Sequence, residues 1–214
     1  MNARLNLRCH SHKLGNISLK PNHAASSATK NALVVGNTSH LDQLFGKSVL
    51  VILDAENITY SARNLGFEPD YRSMAHLLSG QTRQVAMHAF YSREPANAHF
   101  DQAFQLMGWT PHPYTIRTVE DHRGSRKLTN SDHNILFHTG SLVCRHQADT
   151  LLIASGDGDL VSDIASGIAD MGIPMDVMTL SLRGSTSHRI LHHQNAHIAA
   201  NGFLGQDCLN PYDE

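Results

Sequence analysis

The chain has 214 residues, 41% of them apolar, which suffices for one domain with a full core and is short for two. A formal charge of -2 gives no overall attraction to a polyanion, so nucleic-acid binding would need a local basic patch or bridging cations. The three cysteines, Cys9, Cys144 and Cys208, form no C-x-x-C pair, which argues against a zinc knuckle or a disulfide scaffold, and no run approaches the roughly 18 apolar residues of a membrane span.

Residues 1–46 contain Arg4, Arg8, Lys13, Lys20 and Lys30 and no acidic residue before Asp42, and read as a flexible basic leader. A cytoplasmic location is expected, with an organellar one as the alternative, because transit peptides share this acid-poor, Ser-containing composition. From Lys47 the pattern changes to short apolar runs alternating with helical periodicity, the sign of a parallel sheet with crossover helices. "SVLVILD" (48–54) is a continuous apolar run, as in a strand covered on both faces. "PDYRSMAHLLSG" follows as a helix with Tyr71, Met74, Ala75 and Leu78 on one face. "QVAMHAFYS" is a second strand, "ANAHFDQAFQLMG" a helix stopping at Gly108, and "WTPHPYTI" a third strand. Arg117 to Asn130 reads as a polar, basic loop. A helix from Ser131 to His146 turns Ile135, Thr139, Leu142 and Val143 inward. "TLLIAS" is the fourth strand, "DLVSDIASGIADMG" a helix closed by Gly172, "PMDVMTLS" the fifth strand, and Ser187 to His197 a last helix. The expected domain spans 47–205, followed by a tail at 206–214.

In parallel sheets, ligands bind outside the carboxyl ends of strands, where the strand order reverses. Asp54 ends the first strand, and Asp157 and Asp159 follow the fourth in "SGDGDL", so a sheet that makes these strands neighbours gathers three carboxylates in one crevice. Asp132, in a first helical turn, can point there too, although aspartate is also a common partner of the helix dipole. Such a cluster repels itself unless a hard cation such as Mg²⁺ or Mn²⁺ neutralises it, and these ions suit phosphoryl chemistry. Asn57 lies near enough to orient Asp54 or to contact a phosphate, with a turn-stabilising role as the alternative.

"VILDAEN", "SDHNILFHTG" and "LLIASGDGDL" resemble the signature blocks of the NYN domain family, the LabA-like branch of the PIN-like nucleases. The resemblance implies a three-layer α/β/α sandwich with a five-stranded, mainly parallel sheet, and a divalent-metal ribonuclease in the active members. It implies Asp54, Asp132 and Asp157 as metal ligands, Asp159 as the last catalytic acid, and Asn57 with Ser155 as substrate contacts. Two departures stand out: His138 occupies a position where many members carry a second acid, and Thr129 one where a lysine is usual. Arg126 and Lys127 lie close by as replacement phosphate contacts. The partner expected is RNA, single-stranded rather than duplex, with a second copy of the chain also possible in principle and no membrane. The competing function is a catalytically weak or inactive RNA-binding module of the same fold.

Other signals lead nowhere. "GKS" at 46–48 lacks the earlier glycine and the helix of a phosphate-binding loop, and "DGDLVSD" lacks the glycine and third ligand of a calcium loop. In "HRILHHQNAH", His188 with His192 and His193 with His197 have metal-clamp spacing but no glutamate of a zinc-protease motif, and read as solvent-facing or nucleic-acid-contacting.

Overall fold

The computed structural model describes residues 37–121, 124–128, 131–192 and 195–212; the side chains of Pro95 and of 117–130 lie outside the described part, as does the leader before residue 37. Six strands form the central sheet: β1 (Ser48–Asp54), β3 (Gln84–Arg93), β4 (Thr110–Thr115), β7 (Thr150–Ala154), β8 (Asp176–Ser181) and β9 (Ile198–Phe203). Their order is β4-β3-β1-β7-β8-β9 and every neighbouring pair is parallel. Helices α1 (Ala55–Asn64), α2 (Tyr71–Gln81) and α3 (His99–Leu106) lie in the β1–β3–β4 connections. Helices α4 (Ser131–Arg145), α5 (Gly158–Asp170) and the short α6 (His188–Leu191) lie in those leading to β7, β8 and β9.

Alternation along β1 sends Val49, Val51 and Leu53 into one core with α1, α2 and α3, while Leu50 and Ile52 enter a second with Phe90, Ile135, Leu142 and Ile164. Both faces of the sheet are therefore covered, which is why its strands read as unbroken apolar runs. The α/β sandwich expected from the sequence is present, with its inward faces on α2 and α4 as predicted.

The structure differs from the sequence reading at four places. α1 was not foreseen: its sequence AENITYSARN has few strong helix formers, and its buried face of Ala55, Ile58, Thr59 and Ala62 is made mostly of small side chains. The segment expected as a loop forms an antiparallel ribbon of β5 (Arg117–Asp121) and β6 (Gly124–Leu128), paired from Arg117↔Leu128 to Asp121↔Gly124. Each of these strands has a single aliphatic residue, Val119 or Leu128, so no apolar alternation announces it. The last helix covers only His188–Leu191. The Asn195 side-chain amide donates to the Ser162 carbonyl (3.1 Å) and to Ser166 Oγ (3.1 Å), tying the following segment to α5, and the chain then supplies β9, which makes the sheet six-stranded rather than five-stranded.

Residues flanking the expected domain are packed against it. Leu41 and Leu44 are buried, Thr38 donates its amide to Asp207 at 2.9 Å, and β10 (Leu209–Pro211) pairs antiparallel with β2 (Phe67–Pro69).

Candidate active site

The strand order reverses between β1 and β7, since the chain leaves β1 for β3 and β4 on one side and returns to β7 on the other. Leu53 is in register with Ala154, so Asp54 and Ser155 leave the sheet side by side. Asp54 is only 6% exposed. It caps α1, with Oδ1 accepting the Asn57 amide (3.1 Å) while Oδ2 accepts the Ser155 hydroxyl (3.1 Å). Burial is the largest influence on its carboxyl and raises the pKa from 3.8 to about 7; the two hydrogen bonds oppose this, and the charges of Glu56 and Asp132 add to it.

The turn after β7 is built differently. Gly156 N donates to Asn57 Oδ1 at 2.8 Å, which ties the two turns together across the reversal. Asp157 caps α5, its Oδ1 accepting the amides of Asp159 (2.9 Å) and Leu160 (3.3 Å). A Cβ on Gly156 would meet the Ser185 carbonyl oxygen at 2.9 Å, and one on Gly158 would meet Ser187 Cβ at 2.7 Å. The glycines therefore let the segment 185–187 lie directly on the turn, where Ser187 N donates to the Gly156 carbonyl at 3.0 Å.

The expected site residues thus have distinct placements. Asp54 and Asp157 flank the crevice, and Asp132, exposed at the start of α4, is near enough to Asp54 to act on its ionisation. Asp159 is turned to an exposed ion pair with Arg189. Ser155 is completely buried, its hydroxyl donating to Asp54 and accepting from the Asp157 amide (3.2 Å), so its one O–H donor is spent on orienting the carboxylate. Asn57 spends its amide oxygen on the turn–turn link. Arg126 and Lys127 stand on β6, with side chains outside the described part.

Two groups were not singled out from the sequence. Glu56 accepts the hydroxyl of Ser92, at the end of β3, and faces Asp54. Tyr114 on β4 is raised above the ordinary phenol range by burial first and then by the charges of Asp54 and Glu56. Glu56 sits in the quoted "DAEN", and a carboxylate two residues after a strand-ending aspartate was the available signal.

His138, exposed on α4, does not stand alone. Its ring lies 5.5 Å from His112, which shares a 2.9 Å hydrogen bond with His88, and His88 lies 5.5 Å from His146. Burial and the neighbouring imidazoles lower the His88 pKa from 6.5 to about 4 and lower that of His112 as well. His188 and His192 stack with centroids 5.3 Å apart, while His193 lies outside the described residues.

Among the described residues, no three His, Cys, Asp or Glu side chains form a ready metal cage. The chemistry of the donors nevertheless fits a hard cation: the rim offers carboxylate oxygens without a thiolate, and its most buried member is held up by desolvation and like charge, both of which such an ion relieves.

The family model of the NYN domain matches residues 48–190. The chain belongs to the NYN domain family. Its fold is accordingly of the PIN-like nuclease type, and the matched span contains Asp54, Asp132 and Asp157. No curated protein matches the chain. Among solved structures, a protein of unknown function from Vibrio parahaemolyticus, VPA0982, superposes with a TM-score of 0.60 at 17% identity, covering 77% of this chain and 97% of that one. MurG of Acinetobacter baumannii gives a TM-score of 0.42 at 11% identity, over 72% of this chain and 40% of that one. The first likeness bears on fold alone. None of the described helices is long and apolar enough to cross a membrane.

Proposed function

We propose that this NYN domain is a divalent-metal-dependent endoribonuclease acting on single-stranded RNA. The observation that carries the reading is the Asp54 carboxyl: buried at the reversal of the strand order, pushed up to about 7, and facing Glu56 and Asp132. A fold that bears such a cost at its ligand-binding edge gains from a cation that removes it.

Asp54, Asp132 and Asp157 would hold Mg²⁺ or Mn²⁺, which when bound would polarise phosphate oxygens and lower the pKa of an attacking water. The chain's own groups do the positioning. Ser155 fixes one oxygen of Asp54, the Asn57 amide fixes the other, and the Asn57 side chain sets the separation of the two turns. Asp159 would join by releasing Arg189, which then faces the backbone of the RNA. Arg126 and Lys127 would supply phosphate contacts from the β5–β6 ribbon.

The test is cleavage of a labelled single-stranded RNA with Mn²⁺, with EDTA, and with Asp157→Asn. Cleavage lost in both treatments is the expected result; cleavage that survives both overturns the metal mechanism. The two departures from the family pattern, His138 and Thr129, favour a second reading, an RNA-binding module without turnover. Tight binding without cleavage by the wild type would select it.

A further inference from the structure

The rim of the acidic site extends past Asp54 toward the sheet edge. Ser92 lies two residues beyond Phe90, the register partner of Asp54, and Ser92 is itself paired with Tyr114. Alternation puts Asp54, Phe90, Ser92 and Tyr114 on the same face of the sheet. The Tyr114 ring is held there, 9% exposed, with the Phe90 ring stacked at 6.1 Å.

Its hydroxyl is the anomaly. It is buried and has no hydrogen-bond partner among the described residues, although buried phenols ordinarily find one because an unmade bond costs about 1–3 kcal/mol. Asp54 and Glu56 are close enough to act on it electrostatically, yet neither accepts from it. Asp54 instead accepts from Asn57 N and Ser155, and Glu56 Oε1 from Ser92. A donor is thus held at the rim with its acceptor still to come.

The geometry points to Tyr114 as a substrate-contacting residue, its phenolic O–H donating to a non-bridging phosphoryl oxygen of a phosphodiester seated beside Asp54. The inference rests on the reading of this rim as a phosphodiester site. A neutral donor suits such a place. A lysine there would pair with Asp54 or Glu56 and compete with the cation they are proposed to hold, whereas a phenol reaches a phosphate oxygen without neutralising either carboxylate.

The experiment compares wild type with Tyr114→Phe, which keeps the ring and deletes only the hydroxyl. Three quantities are read on the full chain: cleavage of single-stranded RNA with Mn²⁺, affinity for the same RNA with Ca²⁺ by fluorescence anisotropy, and melting temperature. The expected result is a kcat/KM lower by about 10–100-fold and RNA affinity lower by several-fold, with the melting temperature unchanged or higher because an unpartnered buried hydroxyl is gone. Unchanged cleavage and affinity in the variant overturn the inference while leaving the nuclease reading intact. A fall in melting temperature matching the loss of activity also overturns it, since that marks a structural hydroxyl. Where the wild type binds RNA but does not cut it, the affinity comparison decides alone; a wild type that neither binds nor cuts overturns the nuclease reading and this inference together.

Discussion

The two turns that meet at the reversal of the sheet, one after β1 and one after β7, are built on opposite terms. After β7 the polar groups are committed: Asp157 caps its helix, Asp159 pairs with Arg189, Gly156 N donates to Asn57, and the glycines are packed against 185–187. After β1 the rim carries a buried carboxyl far from its ordinary ionisation, a second carboxylate beside it, and a hydroxyl without an acceptor among the described residues. One turn is a scaffold at low energy and the other stores unrelieved electrostatic cost. Groups that a ligand would satisfy are the better guide to where chemistry happens than the acidic motif that is easiest to see.

The largest effect should come from Asp54→Asn, which breaks the contrast by removing the cost. Cleavage is expected to fall by about 10³-fold, the scale of losing a central electrostatic contributor. The metal-free protein should at the same time become more stable at pH 8, by on the order of 4 kcal/mol for a shift of about three units. Because the folded carboxyl titrates near 7 and the unfolded one near 3.8, Asp54 contributes a loss of stability as pH rises between these values that the variant lacks. Urea denaturation in EDTA at pH 4 and pH 8 measures this, and equal pH dependence for both proteins would refute it.

His88 supplies the opposite slope in nearly the same window. Its folded pKa near 4 lies below its ordinary 6.5, so its contribution is present above 6.5 and is lost as pH falls toward 4, worth about 2 kcal/mol after a discount for solvent screening. His88→Gln should flatten the acid limb of the denaturation profile and leave Mn²⁺ dependence of cleavage unchanged.

On the scaffold side, Gly158→Ala drives a Cβ into Ser187 and is expected to cost about 1–3 kcal/mol, visible as a lower melting temperature. Asn57→Ala leaves Gly156 N without its acceptor and should cost about 1–2 kcal/mol while lowering kcat through loosened alignment of the turns. The smallest change is expected for Asp159→Asn, an exposed partner of Arg189, within about 1 kcal/mol in stability. A collapse of stability in that variant would place the scaffold's support at the ion pair instead of the glycines.

Much of this was legible in the chain because apolar runs have few solutions. "SVLVILD" and "TLLIA" admit little besides strands covered on both faces, and their adjacency put Asp54 beside the "SGDGD" turn. What escaped is what periodicity does not encode. α1 hides behind small residues, the β5–β6 ribbon has no apolar face in its sequence, and β9, "IAANGF", follows a histidine-rich segment that resembles a helix. Tyr114 reads in "TPHPYT" as one more strand aromatic, and only the absence of a partner for its hydroxyl sets it apart. Ser155 shows the converse: the resemblance implies a substrate contact, and the structure shows a buried hydroxyl that donates to Asp54.

The seating of 185–187 on Gly156 and Gly158 has a consequence for how this architecture tolerates change. That short stretch acts as a latch fastening the β8 crossover to its predecessor, so added length there would leave every strand in place yet let the two halves of the crevice drift apart. Insertions should therefore be poorly tolerated in the latch.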